Sequence, residues 1–218
     1  MTERRVVSTY DPGIFDVNNI DEAKQIILTP EGMSSEERWE RETPYLVDLL
    51  AEHITLDKSS LVIDYGCGIG RLSKALIDRF GCRVVGVDIS VSMRGFAHAY
   101  VNSDRFFSCA PIWLRFFAPS PLWRADVAIS VWTLQHCLEP SEDIAIIKGS
   151  LGEGGKIFVV NNNQRVVPTR ECGWLDDKKD ISALLNTSFH QLARGMLDVR
   201  IVAQELANCT SWATYRAQ

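Results

Sequence analysis

At 218 residues, with a net charge of −5 and a pI near 5.4, the chain is long enough for one domain with a substantial core. That acidic balance removes any general electrostatic pull toward nucleic acid or anionic membrane. No run approaches the ~20 apolar residues of a membrane span, and six cysteines without C-x-x-C pairing or zinc spacing read as reduced thiols of a cytoplasmic protein.

Residues 1–5 open a polar stretch with no apolar signal core, and Tyr10-Asp11-Pro12-Gly13 marks a turn. Residues 21–28 predict a short helix capped by Asp21 and stopped before Pro30. Residues 34–42 begin like a second helix with acids in its first turn; Pro44 then interrupts, and an amphipathic pattern resumes over 45–54. Leu61-Val62-Ile63 reads as a buried strand. Asp64 follows, then glycine at 66, 68 and 70, then a run with apolar residues at 72, 75, 76 and 80, the spacing of a helix with one buried face. The next strand, residues 82–87, ends in Asp88, about 20 residues after the glycines, where a carboxylate accepts hydrogen bonds from both hydroxyls of a ribose. Strand, glycine turn, helix, strand and acid form the nucleoside-binding half of a doubly wound α/β domain.

The glycine spacing narrows the nucleoside further. A dinucleotide fingerprint needs G-x-G-x-x-G, and Arg71 stands where its third glycine would fall. Asp64, two residues ahead of the first glycine, would repel a pyrophosphate but suits a ligand carrying an ammonium and a sulfonium. In Val62-Ile63-Asp64-Tyr65-Gly66-Cys67-Gly68-Ile69-Gly70 the sequence resembles the first motif of the class I S-adenosylmethionine-dependent methyltransferases, and the resemblance extends over roughly residues 58 to 160. It implies a doubly wound, mostly parallel seven-stranded sheet with helices on both faces and an N-terminal helical extension. It also implies S-adenosylmethionine as cofactor. Residues 1–218 are expected to form one methyltransferase domain: a helical preamble (1–57) over the cofactor, a cofactor-binding half (58–160) and a substrate-side half (161–218).

Further along, residues 90–100 predict a helix capped by Ser90. The third strand, near 105–109, ends in Cys109-Ala110, where the family usually places an acid that reaches the adenine amino group. Residues 125–136 read as the fourth strand and its loop, residues 141–151 as a capped helix, and residues 151–161 as a glycine turn with the fifth strand. Residues 161–175 read as a polar connection and 182–197 as a helix. Residues 199–206 and 211–216 alternate like strands, which would supply the antiparallel hairpin closing the family's sheet.

The resemblance carries a cofactor site onto Asp64, Tyr65, Gly66, Cys67, Gly68 and Gly70, onto Asp88 and Ile89, onto Cys109 and Ala110, and onto Ser130 and Val131. It carries an acceptor site onto Trp39, Trp132, Gln135, Asn161 and Asn162. His136 is the candidate general base, since an imidazole titrates near neutrality, though a histidine here also serves simply to position substrate. Arg38 and Trp39 either cover the cofactor or pack the preamble. No Asn/Asp-Pro-Pro-Tyr/Phe box, Pro-Cys nucleophile, paired glutamates or metal-ligating acid follows the fourth strand. The expected reaction is therefore metal-independent methyl transfer to a small-molecule acceptor, with neither nucleic acid nor membrane as partner. Two alternatives stand beside it: a non-catalytic adenosyl-cofactor-binding protein, and a nucleotide-linked oxidoreductase. The latter would show a third fingerprint glycine and a Tyr-x-x-x-Lys pair, both lacking here.

Overall fold

The computed structural model describes residues 8–118, 120 and 123–217; the polar start at residues 1–5 lies outside them. A 3-10 turn (Pro12–Phe15) and helices α1 (Ile20–Ile27) and α2 (Ser35–His53) precede the first strand. Strands β1 (Leu61–Tyr65), β2 (Arg83–Val87) and β3 (Phe106–Cys109) alternate with α3 (Arg71–Phe80) and α4 (Val91–Val101). Next come α5 (Pro111–Phe117), β4 (Ala125–Val131), α6 (Pro140–Ser150) and β5 (Leu151–Asn162). A small hairpin of β6 (Val167–Thr169) and β7 (Gly173–Leu175) leads to α7 (Ile181–Ser188), β8 (Phe189–Met196), α8 (Gln204–Cys209) and β9 (Thr210–Ala217).

Seven strands form one sheet in the order β3-β2-β1-β4-β5-β9-β8. The first five run parallel and β9 is antiparallel to both neighbours, β5 and β8, as the family pattern implies. Strand alternation divides the core in two. Val62, Ile129 and Val160 pack on one face with Leu46, Leu50 and Leu76. Their neighbours Ile63, Ala128 and Val159 pack on the other with Ile144, Leu185 and Tyr215. The order reverses between β1 and β4, and a crevice opens there beyond the carboxyl ends of the strands.

The preamble is built differently from its sequence expectation. Helix α2 runs unbroken through Pro44. Proline removes one backbone donor, yet the helix holds: Ser34 and Glu37 form a reciprocal capping box, and the buried Arg38 side chain grips Glu42 one turn on. Helix α1 is capped by Asn19, whose side chain accepts from the Glu22 amide, and not by Asp21. Val17, Ala23, Leu28 and Trp39 then bury against Ile69 of the glycine turn and Met93 of α4.

The C-terminal reading also needs correction. Residues 182–197 are half helix and half strand, and the hairpin partner of β9 is β8, not residues 199–206. Apolar spacing at 184, 185, 189, 192, 193 and 196 fits a helix, but β9 offers an unpaired edge and Phe189 buries against Tyr215 by joining it. Only a glycine fits at position 195 in this pairing, because a Cβ would lie 2.7 Å from the Trp212 indole nitrogen. Beyond β8, Asp198 accepts from the Arg200 amide, a turn that leads into α8. Helix α5 and the β6–β7 hairpin are elements that the sequence reading passes over, and α6 starts at Pro140 without a side-chain cap.

Candidate functional site

Strand β1 delivers Asp64 and Tyr65 to opposite faces of the sheet and then turns. Gly66, Gly68 and Gly70 have φ of 84°, 54° and 83°, the left-handed region that favours glycine. The turn is hooked to the neighbouring strand, with the Gly66 and Cys67 amides both donating to the Val87 carbonyl, at 2.6 and 3.1 Å. The bare faces of these glycines are filled by protein. A Cβ would lie 2.0 Å from Thr133 Oγ1 at Gly66, 2.6 Å from Ile27 Cδ1 at Gly68 and 2.4 Å from Val101 Cγ2 at Gly70. Three separate elements therefore converge on the turn.

Two carboxylates flank it. Asp64 is 3% exposed and accepts from the Ser73 hydroxyl at 2.7 Å; burial pushes its pKa up to about 6. Asp88 Oδ2 accepts from the Gly68 amide at 2.8 Å and Oδ1 from the Ser90 amide at 2.9 Å. Burial raises the Asp88 carboxyl as well. Each of its oxygens keeps a lone pair, so the carboxylate can still receive two hydroxyls.

A cavity of about 910 Å³ spans this edge, ample for a nucleoside cofactor beside a small second ligand. Of the residues that the resemblance assigns to the cofactor, Asp64, Tyr65, Gly66, Cys67, Gly68, Asp88, Ile89 and Val131 line it. Gly70, Cys109, Ala110 and Ser130 do not. Gly70 caps the start of α3, and Cys109 and Ser130 are buried. Of the expected acceptor residues, Trp132, Gln135 and Asn162 line the cavity, as does His136. Trp39 is instead a core residue whose indole donates to Tyr100 Oη at 3.1 Å. Asn161 fastens the loop after β4, with Oδ1 accepting from the Gln135 amide at 3.0 Å.

That loop sets His136. Gln135 Oε1 accepts from the Asn162 amide at 2.7 Å, which turns the Gln135 amide nitrogen toward His136 Nε2 at 3.3 Å. His136 Nδ1 lies 2.8 Å from the Val166 carbonyl, so it carries the proton and Nε2 is the acceptor. Burial lowers the imidazole pKa and keeps it neutral at pH 7. Arg165, 2% exposed, braces the same loop by donating to the Leu134 and Cys137 carbonyls at 2.7 and 2.5 Å and to Asp177.

Several site residues escape a motif-based reading. Phe15 and Trp174 both place their ring centroids 5.6 Å from the His136 ring and 6.4 Å from each other, an aromatic wall drawn from the strap before α1 and from β7. The strap is tied down at Tyr10, which bridges to Thr169, and Tyr10 itself lines the cavity. Deeper in, the Tyr65 hydroxyl donates to Asp143. Periodicity gives no sign of Phe15 or Trp174, because both lie in elements only three or four residues long. Among the described residues no group of three or more His, Cys, Asp or Glu side chains is arranged to hold a metal ion, and no helix is long and apolar enough to cross a membrane.

Comparison with known proteins agrees with this fold. A family model described as a methyltransferase domain matches residues 36–201. The ubiquinone biosynthesis O-methyltransferase of Coxiella burnetii (strain Dugway 5J108-111) is 30% identical over 125 residues, covering 55% of this chain and 51% of that protein. The tRNA U34 carboxymethyltransferase of Glaesserella parasuis is 26% identical over 128 residues, covering 57% of this chain and 37% of that one. The chain thus spans about half the length, or less, of these curated relatives. In fold it is similar to the magnesium protoporphyrin IX methyltransferase of Synechocystis PCC 6803, solved with bound S-adenosylhomocysteine, at 17% identity and a TM-score of 0.63 over 95% of this chain and 98% of that one.

Proposed function

The chain belongs to the methyltransferase-domain family, and on that premise we propose that it transfers a methyl group from S-adenosylmethionine to a small-molecule acceptor. One observation carries the reading: Asp64, the glycine turn and Asp88 open into the same cavity as the Phe15–His136–Trp174 wall. Asp88 would hold the ribose hydroxyls, and Asp64 would face the positive charge of the cofactor. When bound, S-adenosylmethionine supplies a methyl group on a positively charged sulfur, which an aligned nucleophile takes in a single displacement.

The task left to the protein is placement, worth ~7–11 kcal/mol of a barrier when reacting atoms are held in line. Phe15 and Trp174 offer flat apolar surfaces to an acceptor, and the Tyr10–Phe15 strap with α1 screens the site from water. His136 orients the acceptor; its neutral Nε2 can receive a proton once the Gln135 contact at 3.3 Å yields. The wall is aromatic and neutral, the cavity's arginines, Arg38 and Arg71, are almost fully buried, and its lining also carries the acidic Glu139 and Asp143. A polyanionic RNA acceptor would call for cations there, and this favours a small molecule over the tRNA substrate of one relative.

Incubation with methyl-labelled S-adenosylmethionine and a size-fractionated cell extract tests the reading. Label is expected in the low-mass fraction. Label confined to RNA or protein would overturn the acceptor assignment, and no enzyme-dependent transfer to any fraction would overturn the activity.

A further inference from the structure

Helix α5 packs on the sheet through Leu114, which is fully buried, while Ile112, Trp113, Phe116 and Phe117 stand exposed. At 3.6 residues per turn those four share one side of the helix. The Trp113 and Phe116 rings lie 6.0 Å apart, so the surface is continuous. Phe107 of β3 is exposed as well, on the sheet face that α5 covers. Apolar side chains grouped in this way mark an interaction surface, whereas single ones are ordinary. The patch borders the candidate site. Pro111, the first residue of α5, lines the cavity, and so do Ile14, Leu138 and Trp174, which are 45%, 47% and 50% exposed. The cavity thus opens past apolar side chains, with α5 beside it.

The charge of the segment departs from that of the chain. Residues 105–124 contain Arg105, Arg115 and Arg124 and no acidic residue, in a protein of net charge −5. Arg124 donates to the carbonyls of Ala118, Ser120 and Trp123, which leaves its positive charge in place. Arg115 meets Glu142 in an ion pair between exposed side chains, a contact of little worth that another anion can replace.

We propose that this face docks on the surface of a phospholipid bilayer. Trp113, Phe116 and Phe117 would enter the boundary between headgroups and acyl chains, where aromatic rings are favoured. The arginines would stay at the phosphates while their stems lie along the apolar layer. Net charge over the whole chain speaks against an anionic membrane, but the attraction acts over a Debye length of ~10 Å, and this segment is the part within reach. A second copy fits less well. A two-fold contact would set arginine-bearing segments against each other and shut the mouth of the cavity. On the activity reading above, docking would let an acceptor dissolved in the bilayer enter the cavity without crossing water; the docking itself does not depend on that reading.

The test sediments the full chain with vesicles of phosphatidylcholine, alone and mixed in equal parts with phosphatidylglycerol. The protein should partition to both, more strongly to the mixture, with the difference shrinking as salt rises. Trp113→Ser/Phe116→Ser should weaken partitioning roughly ten- to a hundredfold, because the inserted rings are lost. Leu192→Ser/Met196→Ser, on the exposed strand at the opposite end of the sheet, should leave it unchanged. Thermal melts establish that both double variants fold; if the first does not, Arg115→Gln decides, by lowering the preference for the mixture. Absence of wild-type partitioning, indifference to phosphatidylglycerol, or equal loss in both double variants overturns the proposal. So does a concentration-dependent dimer in sedimentation velocity that Trp113→Ser/Phe116→Ser abolishes, since a second copy would then cover the face. Titration of the same proteins with S-adenosylhomocysteine reads the cofactor separately: no binding by the wild type would sink the cofactor reading and leave the vesicle result standing.

Discussion

Asp88 Oδ2 accepts a hydrogen bond from the Gly68 amide at 2.8 Å, so the carboxylate at the end of β2 holds the very turn with which it shares a cavity. On the proposed reading, one side chain serves both the shape of the site and its ligand. Asp88→Ala should weaken cofactor binding by ~1.5–3 kcal/mol through loss of a charged acceptor. It should also leave the Gly68 and Ser90 amides unpaired and lower stability. Calorimetry and thermal melts of the variant check both effects, and undiminished affinity would remove Asp88 from the site.

The glycines make a steric prediction. At Gly66 a Cβ would sit 2.0 Å from Thr133 Oγ1, with φ at 84°. Gly66→Ala should therefore displace the loop after β4 and cost ~1–3 kcal/mol in left-handed strain and overpacking. The double variant Gly66→Ala/Thr133→Ala should recover part of that stability. Denaturant midpoints for the single and double variants measure the coupling, and strict additivity would mean that the two residues do not press on each other.

A pH dependence follows from Asp64. Its folded pKa, raised to about 6 by burial, means that the carboxyl is increasingly protonated below that pH and loses its attraction for a cation. The affinity of S-adenosylhomocysteine should accordingly fall as pH drops from 7 to 5. Asp64→Asn should weaken binding at pH 7 and flatten the profile; a residual slope is expected because Asp88 is shifted in the same direction. The same raised pKa works the other way on stability. A carboxyl that holds its proton more tightly when folded stabilises the fold most below its unfolded pKa, and that contribution is lost as pH rises through about 6. Binding titrations and melts at pH 5, 6 and 7 separate the two trends.

Arg165 yields the largest expected stability effect. Its buried guanidinium ties Asp177 to the Leu134 and Cys137 carbonyls, the loop that carries His136. Arg165→Met should destabilise the protein by ~3–5 kcal/mol, the cost of breaking a buried charged network. It should also lower turnover more than it lowers cofactor affinity, since Asp64 and Asp88, proposed to hold the cofactor, lie on β1 and just after β2. Equal losses in both would count against a role confined to the acceptor loop.

The cofactor half was legible because its chemistry is local. Asp64, the glycine turn and Asp88 lie on adjacent elements joined by one helix, and β-branched runs announce the strands. The rest depends on distant partners. Phe189–Met196 reads as helix until the open edge of β9 is known, and Pro44 reads as a break until the capping box and the Arg38–Glu42 pair are seen to hold α2 together. Phe15 and Trp174 meet His136 from segments 159 residues apart, with no periodicity to announce either. Trp39, assigned to the acceptor, belongs to the core because an amphipathic pattern reports burial without saying against what.

Titration calorimetry with S-adenosylhomocysteine, run against NAD as a control, tests the central claim most directly. The account predicts saturable one-to-one binding of S-adenosylhomocysteine, weakened by Asp88→Ala, and no binding of NAD, whose pyrophosphate would face Asp64. Binding of NAD with no heat from S-adenosylhomocysteine would contradict it.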